Sequence, residues 1–368
     1  MRIAIVGTAT FPCPPIFYGG EVFFHCLSRG FHELGHHVSL YGAPGSLPPD
    51  PTCTECRLRY VPGGYGEIGD KEYLAAEWYY SEIINNHDYV LDCAHMHMVA
   101  ETAGFYFPEH TKKILVVPNG VSTEYPRGGP YHVVAGSKKW RDLMVYGRSQ
   151  FYGTAYEAQY GGLIRSVAEE DFSGVVYWAV DAEHFYTPGE APREDYYLWL
   201  SRPTPYKGLF TALEVAARAK LKLKVVPGIG MPAHQKEWEA SLPLIDQAVK
   251  NGAQVEVVML PQNSQHHVVK RELYRRARAL LYPVQAHEPF GLVVAEALSA
   301  GTPVIASTLG AMPEIIRQGE TGFLCRNVEE MVEATKNVGA LNNKLIREDS
   351  VERWHYLRAA KDFLKLMQ

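Results

Sequence analysis

No stretch of the 368 residues stays apolar for the length needed to cross a bilayer. No G-x-G-x-x-G spans a strand-to-helix turn, which speaks against a nicotinamide dehydrogenase. No segment recurs at a fixed period, so a solenoid or propeller is excluded. Cysteine is sparse: six residues form no dense framework, which suits a reducing cytoplasm. Cys53-x-x-Cys56 stands alone in a Pro-rich loop, and the two further ligands a zinc site needs are not near it. Positive charge is not in excess, and a net charge of −5 argues against general nucleic-acid binding. The apolar start, residues 2–7, is too short for a signal sequence and reads as a first strand.

What remains is a globular composition, 46% apolar and 21% charged, long enough for two domains. Two series of strands alternating with helices follow each other, which implies parallel sheets. In the first series, residues 2–6 and 38–41 read as strands and 22–34 as the helix between them. The loop before that helix ends in Gly19-Gly20, which lets a ligand approach backbone amides. Residues 71–86 read as helix and 89–92 as a strand, which delivers Asp92, His95 and His97 to its carboxyl end. Ligands of open α/β sheets sit beyond such ends. Strands are expected at 114–117, 132–135 and 175–178. Residues 137–142 open a helix whose Lys138, Lys139, Trp140 and Arg141 could touch an anionic membrane surface, although a short basic turn is more often a solvated face.

Residues 187–194 combine proline, glycine and charge and read as the linker. The domains are therefore 1–188 and 189–349. The second series has strands at 196–200, 223–226 and 255–259 and helices at 209–220, 233–250 and 265–277. Arg202 and Lys207 lie in the loop after its first strand, five residues apart, where two cations can clamp a diphosphate. Gly208 follows them, and Gly228-Ile-Gly230 follows the next strand, where its glycines would let the backbone approach a nucleotide, although a lone G-x-G is a weak signal. Closing helices are expected at 328–338 and 350–366.

The most informative stretch is residues 287–306. A strand-like run, Ala279-Leu-Leu-Tyr-Pro283, leads into Glu288-Pro289-Phe290-Gly291. An apolar helical segment carrying Glu296 comes next, stopped at Gly301, then the β-branched run Pro303-Val-Ile-Ala306. Pro289 suits a first helical turn and Gly301 a helix end. The opening amides of that helix, at Phe290, Gly291 and Leu292, favour an anion or hydroxyls. An acid at 296, among Val293, Val294, Ala295 and Ala297, needs a hydrogen-bonding partner, and a polyol would serve.

Glu288-Pro-Phe-Gly-Leu-Val-Val-Ala-Glu296-Ala, then Ala300-Gly-Thr-Pro-Val-Ile-Ala and Gly310-Ala-Met-Pro-Glu314, closely resembles the signature of retaining family-4 glycosyltransferases of the GT-B fold. Two glutamates separated by seven residues define that signature. The resemblance implies two doubly wound Rossmann-like domains facing across a cleft, with the helix at 350–368 crossing back to the first. It implies a hexosyl transfer with retention from a nucleoside-diphosphate sugar to an acceptor hydroxyl. UDP is the first choice of base carrier, with GDP and ADP as alternatives. The acceptor is a saccharide, a lipid-linked molecule or a small molecule.

The resemblance also assigns roles. Glu296 takes the ribose hydroxyls, Arg202 and Lys207 the diphosphate, and Glu288 with the Phe290 and Gly291 amides the donor hexose. Gly19 and Gly20 lie between donor phosphates and acceptor. His95, or alternatively His97, faces the sugar, with Asp92 beside it. Residues 180–185 resemble the family's N-G-V-D…F segment but lack its asparagine and glycine. No D-x-D is present to bring a metal, so the expected chemistry uses fixed cations and helix amides instead. The expected location is the cytoplasm, including the inner membrane face. Two other readings stand beside this one: an epimerase or hydrolase acting on a nucleotide sugar without an acceptor, and a non-catalytic nucleotide-sugar binding protein.

Overall fold

The computed structural model describes residues 1–7, 19–42, 46–48, 57–60, 79–93, 114–117, 131–161, 166–186, 192–230, 232–261 and 265–368. His95, His97, the Cys53/Cys56 pair and most of the expected linker lie outside them. Contacts divide the chain into two units. The first holds residues 1–149, 162–180 and 356–368, and the second 150–161 and 181–355.

In the first unit, β1 (Arg2–Val6), α1 (Gly19–Glu33), β2 (His37–Gly42) and β3 (Arg57–Tyr60) are followed by a π-helical turn at Tyr79–Ile84. Then come β4 (Tyr89–Asp92), β5 (Ile114–Val116), β6 (Tyr131–Ala135), α2 (Lys138–Val145) and β7 (Phe172–Val175). The strands pair in the order β3-β2-β1-β4-β5-β6-β7, all parallel. Continuous apolar runs such as Ile3–Val6 are fully buried because helices cover a parallel sheet on both faces. α1 starts at Gly19, so the glycine pair forms the helix's first turn rather than the loop before it. β7 lies three residues earlier than its apolar run indicates: Val176, Trp178 and Ala179 are buried beyond the strand's end instead of extending it. Trp140 is packed in the core with Val133, Ala135, Leu143 and Met144, so it cannot serve a membrane surface.

The second unit begins with α3 (Glu157–Tyr160) and α4 (Ala182–Phe185). The alternation then becomes regular: β8 (Tyr197–Ser201), α5 (Leu209–Ala219), β9 (Lys222–Pro227), α6 (Pro232–Lys250), β10 (Gln254–Val257) and α7 (His266–Arg276). It continues with β11 (Ala279–Tyr282), α8 (Leu292–Ser299), β12 (Val304–Ser307), α9 (Met312–Ile315), β13 (Gly322–Cys325), α10 (Val328–Asn337) and α11 (Asn343–Trp354). The sheet order is β10-β9-β8-β11-β12-β13, again parallel. A core of aromatic and aliphatic side chains, including Trp199, Leu213, Trp238 and Ile305, lies under it.

The expected helix over 350–366 is two helices. His355 has an extended backbone (ψ 139°) that ends α11, and α12 (Tyr356–Leu366) starts beyond it. α12 packs on α1 in the first unit. Phe363 stands 6.4 Å from both Phe23 and Phe31, Tyr356 donates to Glu33 at 2.8 Å, and Arg29 lies over the Tyr356 ring. The units separate between Val180 and Asp181 rather than at residue 188, because α4 packs on α7, α8 and α11. Residues 150–161 join the second unit for a similar reason: Phe151 meets the Tyr206 ring edge-on, and Gln150 accepts from the His287 amide. Two doubly wound sheets in one chain, with the last helix returning to the first, have the topology of the GT-B fold. Among the described residues no helix is long and apolar enough to cross a membrane.

Candidate functional site

In the second sheet the strand order reverses between β8 and β11. In open α/β sheets ligands bind beyond the carboxyl ends of the strands at such a reversal. Arg202 and Lys207 lie on one loop, Glu288 on the other. The first loop closes as a 3-10 turn, Pro205–Lys207, in which the Lys207 amide donates to Thr204 O. Trp199 Nε1 donates to Lys207 O at 3.2 Å and fixes the turn to β8. The Gln285 amide donates to Tyr206 O at 2.7 Å, joining the two loops.

Lys207 Nζ reaches Glu288 Oε2 at 2.5 Å and lies 3.5 Å from the Tyr282 hydroxyl. The lysine is buried and the glutamate half-buried. Burial, then the neighbouring Glu288 carboxylate, holds the Tyr282 hydroxyl well above its usual range. Tyr282 is therefore a neutral donor at any ordinary pH. Among the described residues no hydrogen bond or ion pair engages Arg202. Its charge is nonetheless felt by three neighbours: it draws down Tyr282, Glu237 and His234, although burial dominates at each and keeps the first two raised.

Glu288 is placed by its backbone. Its carbonyl accepts from the Ala311 amide at 3.0 Å. His287 Nδ1 accepts from the Gly310 amide at 3.0 Å, so its ring hydrogen sits on Nε2 and points to Tyr152 O. Pro289 lies in the loop, three residues before the helix, and not in the first helical turn. The helix starts later because Gly291 turns the chain in the left-handed region (φ 97°) and acts as the cap. The first intrahelical bonds run from Val294 and Ala295 to Gly291 O. The Leu292 and Val293 amides therefore precede the ladder, at the positive end of the helix. Phe290 turns its ring inward, against Trp354, and offers the site its backbone only. Gly301 ends α8 as expected.

Glu296, one helix face further on, is 3% exposed. Its partners are protein groups: Lys270 Nζ at 2.6 Å on Oε1, and the Tyr274 hydroxyl at 2.9 Å on Oε2. Each oxygen of the buried acid thus has one protein partner. Sequence reasoning missed Lys270. The signal was there: His266, Lys270, Leu273 and Tyr274 share the inward face of α7 at helical spacing, and a lysine on such a face needs an acid. Gly228 is buried beyond β9, and its amide donates to Ser201 O at 2.8 Å, so that amide serves the sheet.

The first sheet reverses order between β1 and β4. Gly19, Gly20 and Asp92 lie at the carboxyl side of that switch, with Asp92 fully buried at the last position of β4. Among the described residues, no cluster of three His, Cys, Asp or Glu side chains could hold a metal.

These observations bring two cations, a carboxylate and a helix N-terminus together at a strand-order switch. Comparison with known proteins bears on it directly. Residues 181–349 match the model of the glycosyl transferases group 1. The second unit belongs to the group 1 glycosyl transferases. A trehalose synthase from Pyrococcus horikoshii is 29% identical over 174 residues, 43% of this chain and 41% of the relative. A D-inositol 3-phosphate glycosyltransferase from Mycobacterium sp. (strain KMS) is 32% identical over 168 residues, 41% of this chain and 35% of the relative. The chain thus spans about two fifths of the length of these curated relatives. Among solved structures, Anabaena Alr3699/HepE in complex with UDP and glucose superimposes with a TM-score of 0.70 at 13% identity. That match covers 99% of this chain and 98% of the other. It extends the shared fold over both units.

Proposed function

We infer that the chain is a retaining, nucleotide-sugar-dependent hexosyltransferase that needs no metal ion. The carrying observation is the Lys207–Glu288 pair, held beside Arg202 where the strand order of a group 1 unit reverses. Arg202 and Lys207 are assigned to the donor diphosphate, and Glu288 with the leading amides of α8 to the hexose. Glu296 is assigned to the ribose. As the C1–O bond breaks, its electron pair leaves with the diphosphate. Fixed cations and helix amides stabilise that growing charge without reorganising. The acceptor oxygen bonds C1 on the same face, and its proton passes to the departing phosphate oxygen. Asp92, His95 and His97 are assigned to the acceptor, and Gly19 and Gly20 to donor binding.

UDP-sugar is the favoured donor, because the fold relative from Anabaena was solved with UDP and glucose. The two curated relatives differ in activity, a trehalose synthase and a D-inositol 3-phosphate glycosyltransferase, so neither supplies the acceptor. The test is a turnover assay on EDTA-treated protein with UDP-, GDP- and ADP-hexoses and a panel of saccharide, lipid-linked and small hydroxyl acceptors. Acceptor-dependent release of UDP, with the donor's anomeric configuration kept in the product, is expected. Donor consumption without acceptor would instead favour the epimerase or hydrolase reading. Tight donor binding without turnover across the panel would favour a binding protein. Loss of activity in EDTA, restored by magnesium or manganese, would contradict metal independence.

A further inference from the structure

We propose that Lys270 is a positioning residue: it holds Glu296 charged and oriented so that the carboxylate receives the ribose diol of the donor. This rests on the reading of the second unit as a nucleotide-sugar site.

Lys270 is 9% exposed and Glu296 3%. A buried ammonium–carboxylate pair gains little stability over an apolar pair of similar volume. The buried residues next to them along their helices are apolar: Val294, Ala295 and Ala297 around Glu296 in sequence, and Leu273 one turn from Lys270. A core built for stability alone would continue that pattern. The pair has a geometry suited to another use. A carboxylate has about four lone-pair sites. Lys270 takes one on Oε1 and Tyr274 one on Oε2, so each oxygen keeps a further site. Two free sites on neighbouring oxygens match two vicinal hydroxyls. Tyr274 cannot replace the lysine as counter-charge: a phenol carries no positive charge, and burial with Glu296 beside it keeps this one protonated, a neutral donor.

Lys270 also mirrors Lys207. Each glutamate of the signature carries its own lysine, Glu288 at 2.5 Å and Glu296 at 2.6 Å. Both lysines come from outside the motif, from the β8 loop and from α7. With both carboxylates matched, the charge of Arg202 remains for the diphosphate. Without Lys270, an unmatched carboxylate would face an anionic donor.

The test is titration calorimetry of the full chain with UDP and with 2′-deoxy-UDP. The wild type should prefer UDP by about tenfold or more, the worth of a hydrogen bond to a charged group. Lys270→Met should reduce that preference to less than about threefold and raise the donor KM more than it lowers kcat. Lys270→Arg should restore it. Should Lys270→Met fail to fold, Lys270→Gln keeps a donor on Glu296 without the charge, and a reduced preference is expected there too. An unchanged UDP preference in the folded Met or Gln variant overturns the proposal while leaving the transferase reading intact. Equal binding of the two ligands by wild type removes Glu296 from the ribose and overturns it as well. Failure of the wild type to bind either ligand overturns both the proposal and the reading beneath it.

Discussion

Position 208 requires glycine for two separate reasons. Its φ is 76°, in the left-handed region, and a Cβ there would lie 1.9 Å from Pro283 O. The two loops of the candidate site touch at that point, so the missing side chain lets Lys207 approach Glu288. Gly208→Ala is expected to cost about 2–4 kcal/mol, from backbone strain plus the clash. It should also weaken UDP binding, as read by urea unfolding and calorimetry. A variant with wild-type stability and affinity would show that the loops need not meet. His87 gives a pH-dependent expectation. Its Nδ1–H donates to Ile83 O and its Nε2 accepts from Ser39, so the folded ring is neutral. Burial lowers its pKa from 6.5. Below that value the unfolded chain takes up the proton first, so the contribution of His87 is present at pH 7 and declines as pH falls. The denaturation midpoint should drop between pH 7 and pH 5, and His87→Gln should drop less. Equal losses would place the pH dependence elsewhere.

Helix α8 illustrates how element ends decide a site. Its C-terminus is a Schellman turn: the Gly301 amide donates to Leu298 O and the Thr302 amide to Ala297 O, both at 2.8 Å. That end was legible in the sequence, because glycine after an apolar helix has few other uses. The start was not. Proline before a helix suits the first turn, yet Gly291 in a left-handed cap delays the helix to Leu292. The segment holding both breakers, Pro289 and Gly291, packs on residues 310–312, which are distant in sequence. Strands β8, β9 and β11 were legible to within a residue or two, since buried parallel strands are continuous apolar runs. β3 and β13 carry a weaker apolar signal and were missed. Lys270 was missed as a partner because nothing local links it to Glu296, 26 residues on. The last helix makes an element-scale prediction. A Cβ on Gly30 would lie 2.9 Å from Ala360 Cβ and 3.1 Å from Tyr356 O, so α1 and α12 meet there without a side chain between them. Gly30→Leu should displace α12 and re-expose Phe363, whose burial is worth about 1.5–3 kcal/mol. Faster proteolysis after residue 355 would show it; unchanged cleavage would mean that α12 is held elsewhere.

Across the whole molecule the same device appears twice. Both sheets run outward from their first strand in one direction, then in the other, and both place candidate residues at the reversal. Strand–helix alternation made this class of fold legible, and the paired glutamates named the second unit's family. The acceptor was not legible, because the residues assigned to it lie in the first unit, outside the family match at 181–349. The central claim is that Glu296 serves the nucleotide and Glu288 the transferred sugar. It is tested most directly by calorimetric titration of Glu288→Ala and Glu296→Ala with UDP and with the UDP-hexose, alongside donor turnover. Glu296→Ala should weaken both ligands, by about tenfold to over a hundredfold. Glu288→Ala should leave UDP almost unaffected and reduce donor turnover. Loss of UDP binding in Glu288→Ala alone would reverse the assignment, and unchanged binding and rate in both variants would contradict the account.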